Sequence, residues 1–194
     1  MLDKILKAEY VLASVSPRRK HLLRQIGLNF TAVDSKAEEV HFDKQPLKSV
    51  RINARKKSRA VAKNYRNKII ISADTVVMID GKVLNKPSGE EDAKRFLRLL
   101  SGRKHIVYTG INVINGITGK EKYNYRKTTV EFRKLSAEEI DYYVTHHKPF
   151  DKAGAYGIQD DFGCLFINKI SGDYYNVVGL PLVKLYETIS ETFI

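Results

Sequence analysis

The chain has 194 residues, enough for one domain with a substantial core. Hydrophobic residues make up 43% and charged residues 29%, a balance that excludes a disordered or fibrous protein. Lysine and arginine (34) exceed aspartate and glutamate (22) by 12. This excess indicates a polyanionic partner, such as nucleic acid, an anionic membrane or a phosphorylated small molecule. Alternatively, it reflects only a basic solvated surface.

The cysteine content and the hydropathy restrict the kinds of site and the cellular compartment that the chain can have. One cysteine, Cys164, excludes an internal disulfide and a cysteine-rich zinc site, and its apolar neighbours predict a small core residue. No apolar stretch approaches the ~18 residues of a spanning helix, and the N-terminal segment lacks the apolar core of a signal peptide. We therefore expect a cytoplasmic protein with no membrane partner.

The first half of the chain alternates strands and helices. The pattern predicts a strand, a helix, a strand and a longer helix, over residues 10–14, 17–26, 28–33 and 46–63. The second helix has apolar positions at helical spacing on one face. Ser16-Pro17 is a helix start signal, and Gly27 is a stop signal.

Hairpins follow in the second half. Strands are predicted on both sides of Asp74 and, after further turns, over residues 82–87, 105–114, 122–132, 164–170 and 174–178. Capping boxes at Ser88 with Glu91 and at Ser136 with Glu139 predict helices over 90–100 and 137–147, and Pro181 begins a last helix. This order predicts an α/β fold with a mixed sheet and helices packed around it.

The segment after the first strand is the first candidate site. Arg18 and Arg19 occupy the first turn of a helix, where the positive end of the helix dipole disfavours cations. A phosphate bound there, near Ser14, would interact favourably with the helix N-terminus and with both guanidinium groups. Alternatively, both arginines extend into solvent at a small cost.

Asp74 is the second candidate, because it interrupts an apolar run that is typical of a buried strand. A buried carboxylate needs a partner or a metal, although an aspartate at a strand end also caps turns. Lys57 and Lys86 are weaker candidates: on a helical wheel Lys57 lies at the edge of the apolar face of the second helix, where most lysines extend into solvent, and Lys86 lies in a turn, where a solvated lysine is equally common. Glu39 lies in a loop and has a carboxylate that suits a hard cation. The five histidines lack the spacing of metal ligands.

Six segments together resemble the Maf family of nucleoside triphosphate pyrophosphatases. They are LASVSPRR (12–19), ISADTVV (71–77), GKVLNKP (81–87), LSGRKHIVYTG (100–110), DKAGAYGIQ (151–159) and GDYYNVVGLP (172–181). They span nearly the whole chain in the family's order. The resemblance implies one domain over residues 1–194, with an elongated mixed sheet similar to that of inosine triphosphatase-like enzymes, two lobes around a cleft, and a homodimer.

The resemblance also implies an activity and its residues. The reaction would be hydrolysis of dTTP and UTP to the monophosphate and pyrophosphate, with a divalent cation (Mg²⁺ or Mn²⁺), as house-cleaning of the nucleotide pool. Asp74 would be the general base, and Glu39 and Asp74 would bind the metal. Matching substrate-binding positions are Ser14, Arg18, Arg19, Lys57, Lys86, Thr75 and Gln159. Arg19, Thr75 and Gln159 would mark the dTTP/UTP branch.

The chain departs from the family pattern in three places. Asn53 replaces a leucine and Ser58 an alanine in the segment before the presumed base. Asp160-Asp161-Phe162 follow Gln159 where the family commonly has glycine and one residue fewer, which adds two carboxylates beside the presumed base-binding pocket.

Two alternatives stay open. The sister branch of the same family acts on 7-methyl-GTP. A nucleic-acid-binding module without catalysis is suggested by the net charge and by Tyr123, Tyr125, Arg126 and Lys127 on one predicted strand. The second alternative predicts steep salt dependence and no turnover.

Overall fold

We describe a computed structural model of the protein, which covers residues 1–159 and 162–194. The helices are α1 (Leu2–Lys7), α2 (Pro17–Gln25), α3 (Pro46–Ala62), α4 (Glu90–Leu100), α5 (Ala137–His147), α6 (Tyr174–Val178) and α7 (Leu182–Glu191). The strands are β1 (Tyr10–Leu12), β2 (Phe30–Ala32), β3 (Ile69–Ile79), β4 (Lys82–Leu84), β5 (Lys104–Asn115), β6 (Glu121–Phe132) and β7 (Ile167–Ser171). Short 3₁₀ turns cover Ala153–Ala155 and Phe162–Phe166.

The strands form one mixed sheet, as the sequence predicts. Among the described residues it has seven strands in the order β2-β1-β3-β5-β6-β7, and β4 pairs with β3. β1 is parallel to both of its neighbours, whereas all pairs from β3 to β7 are antiparallel. The open mixed sheet with flanking helices confirms the predicted α/β class.

β3 connects two clusters of buried apolar side chains. Ile71 and Ala73 belong to a cluster with α2 and α7, whereas Val77 and Ile79 belong to a second cluster with α4 and α5. Its β-branched residues suit a strand buried on both faces. Asp74 therefore lies where the strand passes from one cluster to the other.

α3 packs closely across β3 and β5. A Cβ atom on Gly110 would lie 3.0 Å from the Val50 carbonyl oxygen, so glycine allows the helix to approach the sheet. Ser72 Oγ donates to the Ala54 carbonyl oxygen at 2.6 Å and ties the helix to β3. The inner face of α3 is thereby fixed against the middle of β3.

Residues 174–178, predicted as a strand, form helix α6. The side chain of Asp173 accepts a hydrogen bond from the Asn176 N–H, and Gly179 ends the helix with a φ of 118°. These two caps override the strand preference of the tyrosines and valines between them. The strand predicted over 164–170 begins only at Ile167, because a 3₁₀ turn precedes it.

Two local predictions were also wrong. The Ser88–Glu91 capping box does not form, since α4 begins at Glu90 and it is Asp92 that accepts from the Ser88 N–H at 3.0 Å. Cys164 is exposed, because the 3₁₀ turn directs Gly163 and Phe166 inward instead. The capping box at Ser136 and Glu139 is confirmed.

The described helices can be compared with the requirements of a membrane-spanning helix. Within residues 1–159 and 162–194, no helix combines the length and the apolar character that crossing a membrane requires.

Candidate active site

The Asp74 carboxylate is buried at the middle of β3, with 5% of the residue exposed. It pairs in register with Gly110 of β5, and α3 covers it. Lys57 Nζ lies 2.7 Å from Asp74 Oδ1, and Asn53 Nδ2 donates to Asp74 Oδ2 at 3.0 Å. Both partners come from α3 one turn apart, so the helix neutralises the charge and hydrogen-bonds both carboxylate oxygens.

Lys57 joins two carboxylates. Its Nζ also lies 2.7 Å from Glu39 Oε1, so one buried ammonium group bridges Glu39 and Asp74. Partial burial raises the pKa of the Glu39 carboxyl, but Lys57, Lys86 and Arg19 outweigh it and hold the pKa below its usual value. Glu39 is therefore ionised at neutral pH. Lys57 does not extend into solvent, contrary to the helical-wheel expectation.

Arg19 is held by three acceptors at the start of α2. Its Nε donates to the Gly179 carbonyl oxygen at 2.9 Å, and its two Nη atoms donate to Ser14 Oγ at 3.3 Å and Thr75 Oγ1 at 3.1 Å. Burial lowers the pKa of the guanidinium to about 10, with Asp74 acting in the opposite direction, so Arg19 stays charged at neutral pH. Arg19 thus connects α2, β3 and the end of α6.

Arg18 makes an ion pair on the other side of α2. Its Nη1 lies 2.8 Å from Asp151 Oδ2, and its Nη2 donates to the Asp151 carbonyl oxygen at 3.2 Å. Partial burial raises the pKa of the Asp151 carboxyl, but Arg18 and Lys152 more than offset it and keep the pKa low. Both arginines therefore have oxygen acceptors at the helix N-terminus, which offsets their unfavourable contact with the dipole.

These groups line one cleft of about 370 Å³. Its walls come from the segment between β1 and α2, the loop before α3, the middle of β3, the turn after β4, the 151–159 loop and the end of α6. All nine residues that the sequence singled out line this cleft: Ser14, Arg18, Arg19, Glu39, Lys57, Asp74, Thr75, Lys86 and Gln159.

Comparison with known proteins identifies the family. A family model described as "Maf-like protein" matches residues 9–192. The chain belongs to the Maf family. Among Maf relatives, it is 47% identical over 182 residues to a protein of Dictyoglomus thermophilum named dTTP/UTP pyrophosphatase, covering 93% of this chain and 94% of that protein. It is 45% identical to a protein of the same name from Caldanaerobacter subterraneus, covering 94% and 88%. Among solved structures, the Staphylococcus aureus Ham1 protein is similar to 64% of this chain, over 71% of its own, with a TM-score of 0.47 and 18% identity.

In the sequence, Asn53 stands out only as a departure from the Maf pattern. The structure places its buried amide against Asp74 and against the backbone of Val40. One signal in the sequence could have revealed this role. Asn53 is a polar residue on the apolar face of a predicted helix, three positions after Val50 and four before Lys57. The pairing of Arg18 with Asp151 had no sequence signal, because 133 positions separate them.

The other two departures have different outcomes. Ser58 Oγ donates to the carbonyl oxygens of Ala54 and Arg55 and accepts from Asn112 Nδ2, so none of these hydrogen bonds goes to a cleft carboxylate. Asp160 and Asp161, which the sequence placed beside the base-binding pocket, lie outside the described residues.

Glu39 and Asp74 form a donor set that fits a divalent cation. One oxygen of each carboxylate is paired with the Lys57 ammonium, at 2.7 Å from Nζ in both cases, so the two carboxylates lie close enough together to share a cation. Mg²⁺ is commonly bound by one or two carboxylates together with substrate phosphates. Throughout the described part of the chain, no third His, Cys, Asp or Glu completes a group that could hold a metal by itself. The residues present therefore suit a cation that arrives with a phosphorylated substrate.

Proposed function

We propose that this protein hydrolyses dTTP and UTP to the monophosphate and pyrophosphate, as house-cleaning of the nucleotide pool. The observation that carries the proposal is a single cleft that combines a buried carboxylate, Asp74, with five cationic side chains, those of Arg18, Arg19, Lys57, Lys86 and Lys152. Relatives 44–47% identical over at least 93% of this chain are named dTTP/UTP pyrophosphatase, which supports this substrate pair.

The triphosphate would bind to the basic wall of the cleft. Arg18 from α2 and Lys86 from the turn after β4 line it, and Ser14 adds a hydroxyl beside the N-terminus of α2. A guanidinium and an ammonium stabilise the charge that develops on phosphoryl oxygens as a nucleophile approaches. Arg18 would exchange its contact with Asp151 for a phosphate oxygen.

Asp74 would activate the attacking water. The water oxygen forms a bond to the phosphorus whose bond to the α–β bridging oxygen breaks, the water proton passes to the Asp74 carboxylate, and the products separate as the monophosphate and pyrophosphate. A carboxylate held by Lys57 and Asn53 at 2.7 and 3.0 Å is fixed before substrate binds, so orientation costs little at the reaction step.

Glu39 and Asp74 would hold a divalent cation, Mg²⁺ or Mn²⁺. When bound, such a cation neutralises phosphate charge and polarises a phosphoryl oxygen. The bridge from Lys57 keeps these carboxylates together before substrate arrives.

Base selection would rest on Gln159, Thr75 and Arg19. Gln159 lines the cleft, and an amide offers one donor and one acceptor to a pyrimidine edge. Thr75 accepts a hydrogen bond from Arg19 of α2 and shares one with Thr109 of β5 at 2.9 Å, so these two contacts fix the orientation of its hydroxyl.

We further infer one domain over residues 1–194, with the two core clusters as its two lobes, and a cytoplasmic homodimer. Sedimentation equilibrium tests the dimer, and a monomer at micromolar concentration would contradict it.

A nucleotide panel tests the proposed function. Purified protein with Mg²⁺ or Mn²⁺ is incubated with dTTP, UTP, 7-methyl-GTP and GTP, and pyrophosphate and single phosphate are measured separately. We expect pyrophosphate from dTTP and UTP at the highest kcat/KM. Preference for 7-methyl-GTP would place the protein in the sister branch, and release of single phosphate would refute the reaction class. Oligonucleotide binding with no turnover of any nucleotide would favour the binding-module alternative.

A further inference from the structure

Asn53 is a buried amide that contacts one cleft carboxylate, Asp74, and the backbone of the residue that follows the other, Glu39. It lies on the inner face of α3 with 1% of the residue exposed. Its Nδ2 donates to Asp74 Oδ2 at 3.0 Å and to the Val40 carbonyl oxygen at 3.0 Å, and its Oδ1 accepts from the Val40 N–H at 2.8 Å. The amide therefore has one partner in β3 and two in the loop before α3.

The two bonds to Val40 fix the loop that carries Glu39. Val40 directly follows Glu39, and pairing with both its N–H and its C=O leaves its peptide groups little freedom to rotate. Only a side chain with a donor and an acceptor at this distance makes both contacts. Asn53 thus fixes the backbone from which the Glu39 carboxylate extends towards Lys57.

The third bond orients the Asp74 carboxylate. With Oδ2 bound to Asn53, Oδ1 is the oxygen that meets Lys57, 2.7 Å away. Rotation of the carboxylate would break one of these bonds in a site with almost no solvent to replace it. A leucine would offer Asp74 and Val40 no hydrogen bond.

We propose that Asn53 is a positioning residue that holds the Asp74 carboxylate and the Glu39 segment in one fixed arrangement for the reaction. This role rests on the proposed pyrophosphatase function. Asn53 does not line the cleft and acts through Asp74 and Val40, so its loss affects the reaction step more than nucleotide binding. Partners that orient a catalytic or metal-binding side chain typically contribute about 10- to 100-fold in activity.

The test compares Asn53→Leu with a matched control, Ser58→Ala. Ser58 is the other buried polar departure on α3, and its hydrogen bonds go to Ala54, Arg55 and Asn112 rather than to the cleft. Asn53→Ser is made in parallel, and it replaces Asn53→Leu if the leucine variant does not fold. Steady-state kinetics with dTTP and Mg²⁺ are measured for the parent and the three variants.

The first readout is the division between kcat and KM. We expect Asn53→Leu to lower kcat by about 10- to 100-fold with KM changed by less than about threefold, and Ser58→Ala to keep kcat within about threefold of the parent. An equal loss of kcat in both variants would show a general packing effect and overturn the proposal. A parent that releases no pyrophosphate overturns the proposed function and this role with it, whereas an active parent with an unchanged kcat in Asn53→Leu overturns this role alone.

The second readout needs no substrate or metal. The Val40 amide donates to Asn53 Oδ1, so native-state hydrogen exchange reports the contact directly. We expect exchange at Val40 to accelerate at least about tenfold in Asn53→Leu, while Ser58→Ala leaves it at the parent rate. A Val40 amide that exchanges equally in the parent and in Asn53→Leu would show that the tether does not form.

Discussion

Replacing Lys57 by methionine tests the electrostatics of the site without any substrate. The Lys57 ammonium group lies 2.7 Å from Glu39 Oε1 and 2.7 Å from Asp74 Oδ1, and the side chains of Lys57 and Asp74 are only 10% and 7% exposed. Methionine retains most of the apolar stem but leaves two carboxylates facing each other. Removing one partner of a buried ion pair typically costs about 3–5 kcal/mol, because the remaining charge has lost its partner and is still buried.

We therefore expect Lys57→Met to lower the free energy of unfolding by about 3 kcal/mol or more, measured by urea denaturation at neutral pH. Glu39→Gln in the same chain should restore part of the loss, because it removes one of the two facing charges. Millimolar Mg²⁺ should stabilise Lys57→Met more than the parent, since the vacated position lies between two carboxylates.

Lys94→Met provides a matched control. Lys94 Nζ also lies between two carboxylates, at 3.1 Å from Glu90 Oε1 and 3.1 Å from Asp141 Oδ1, but these partners are 51% and 55% exposed. Solvent screens such pairs, so we expect a much smaller loss of stability. If Lys94→Met costs as much as Lys57→Met, burial of the carboxylates is not the origin of the effect.

Three further predictions address other parts of the molecule. Burial lowers the pKa of His105, which hydrogen-bonds Tyr156, to about 4 from an ordinary 6.5, so its contribution to stability is fully present above pH 6.5 and is lost as pH falls towards 4. It amounts to about 3 kcal/mol. Denaturation between pH 7 and 4 should show a shallower decline for His105→Gln, and parallel curves would refute the assignment. Arg18→Ala should raise KM for dTTP by about 10- to 100-fold with a smaller change in kcat. Asp151→Asn, which weakens the pairing of Arg18 but keeps Arg18 itself, should not raise KM, so an equal rise would contradict phosphate binding by Arg18. Gly179→Ala should cost about 1–3 kcal/mol, because φ at Gly179 is 118°, a backbone conformation that residues with a Cβ rarely adopt. A thermal midpoint equal to that of the parent would show that the segment relaxes without strain.

Much of the fold could be predicted because its signals are local. The helices α2 and α3 begin at Pro17 and Pro46, the first of them ends just before Gly27, and β3, β5 and β6 are long β-branched runs. The error at α6 has a local cause as well. Tyrosine and valine favour strands, but the Asp173 cap and Gly179 decide a segment of only five residues.

The candidate site could be predicted only as a set of residues. The helix start and the interrupted apolar run pointed to Arg18, Arg19 and Asp74, family motifs added the other residues, and the structure brings all of them to one cleft. The contacts among them depend on tertiary structure. Lys57 bridges two carboxylates and Asn53 reaches Val40 because of how α3 lies across β3 and β5. The pairing of Arg18 with Asp151 depends instead on the contact between α2 and the 151–159 loop. No periodicity in the sequence encodes that placement.

The most direct test of the central claim is pyrophosphate release from dTTP by the parent and by Asp74→Asn. Asparagine keeps the size of the side chain and its contact with Asn53 but removes the base. We predict that the parent forms pyrophosphate and monophosphate in equal amounts. We also predict that Asp74→Asn, once a urea denaturation curve has shown that it is folded, loses about 10²- to 10⁴-fold in kcat. Turnover by Asp74→Asn within tenfold of the parent would contradict the assignment of Asp74 as the base.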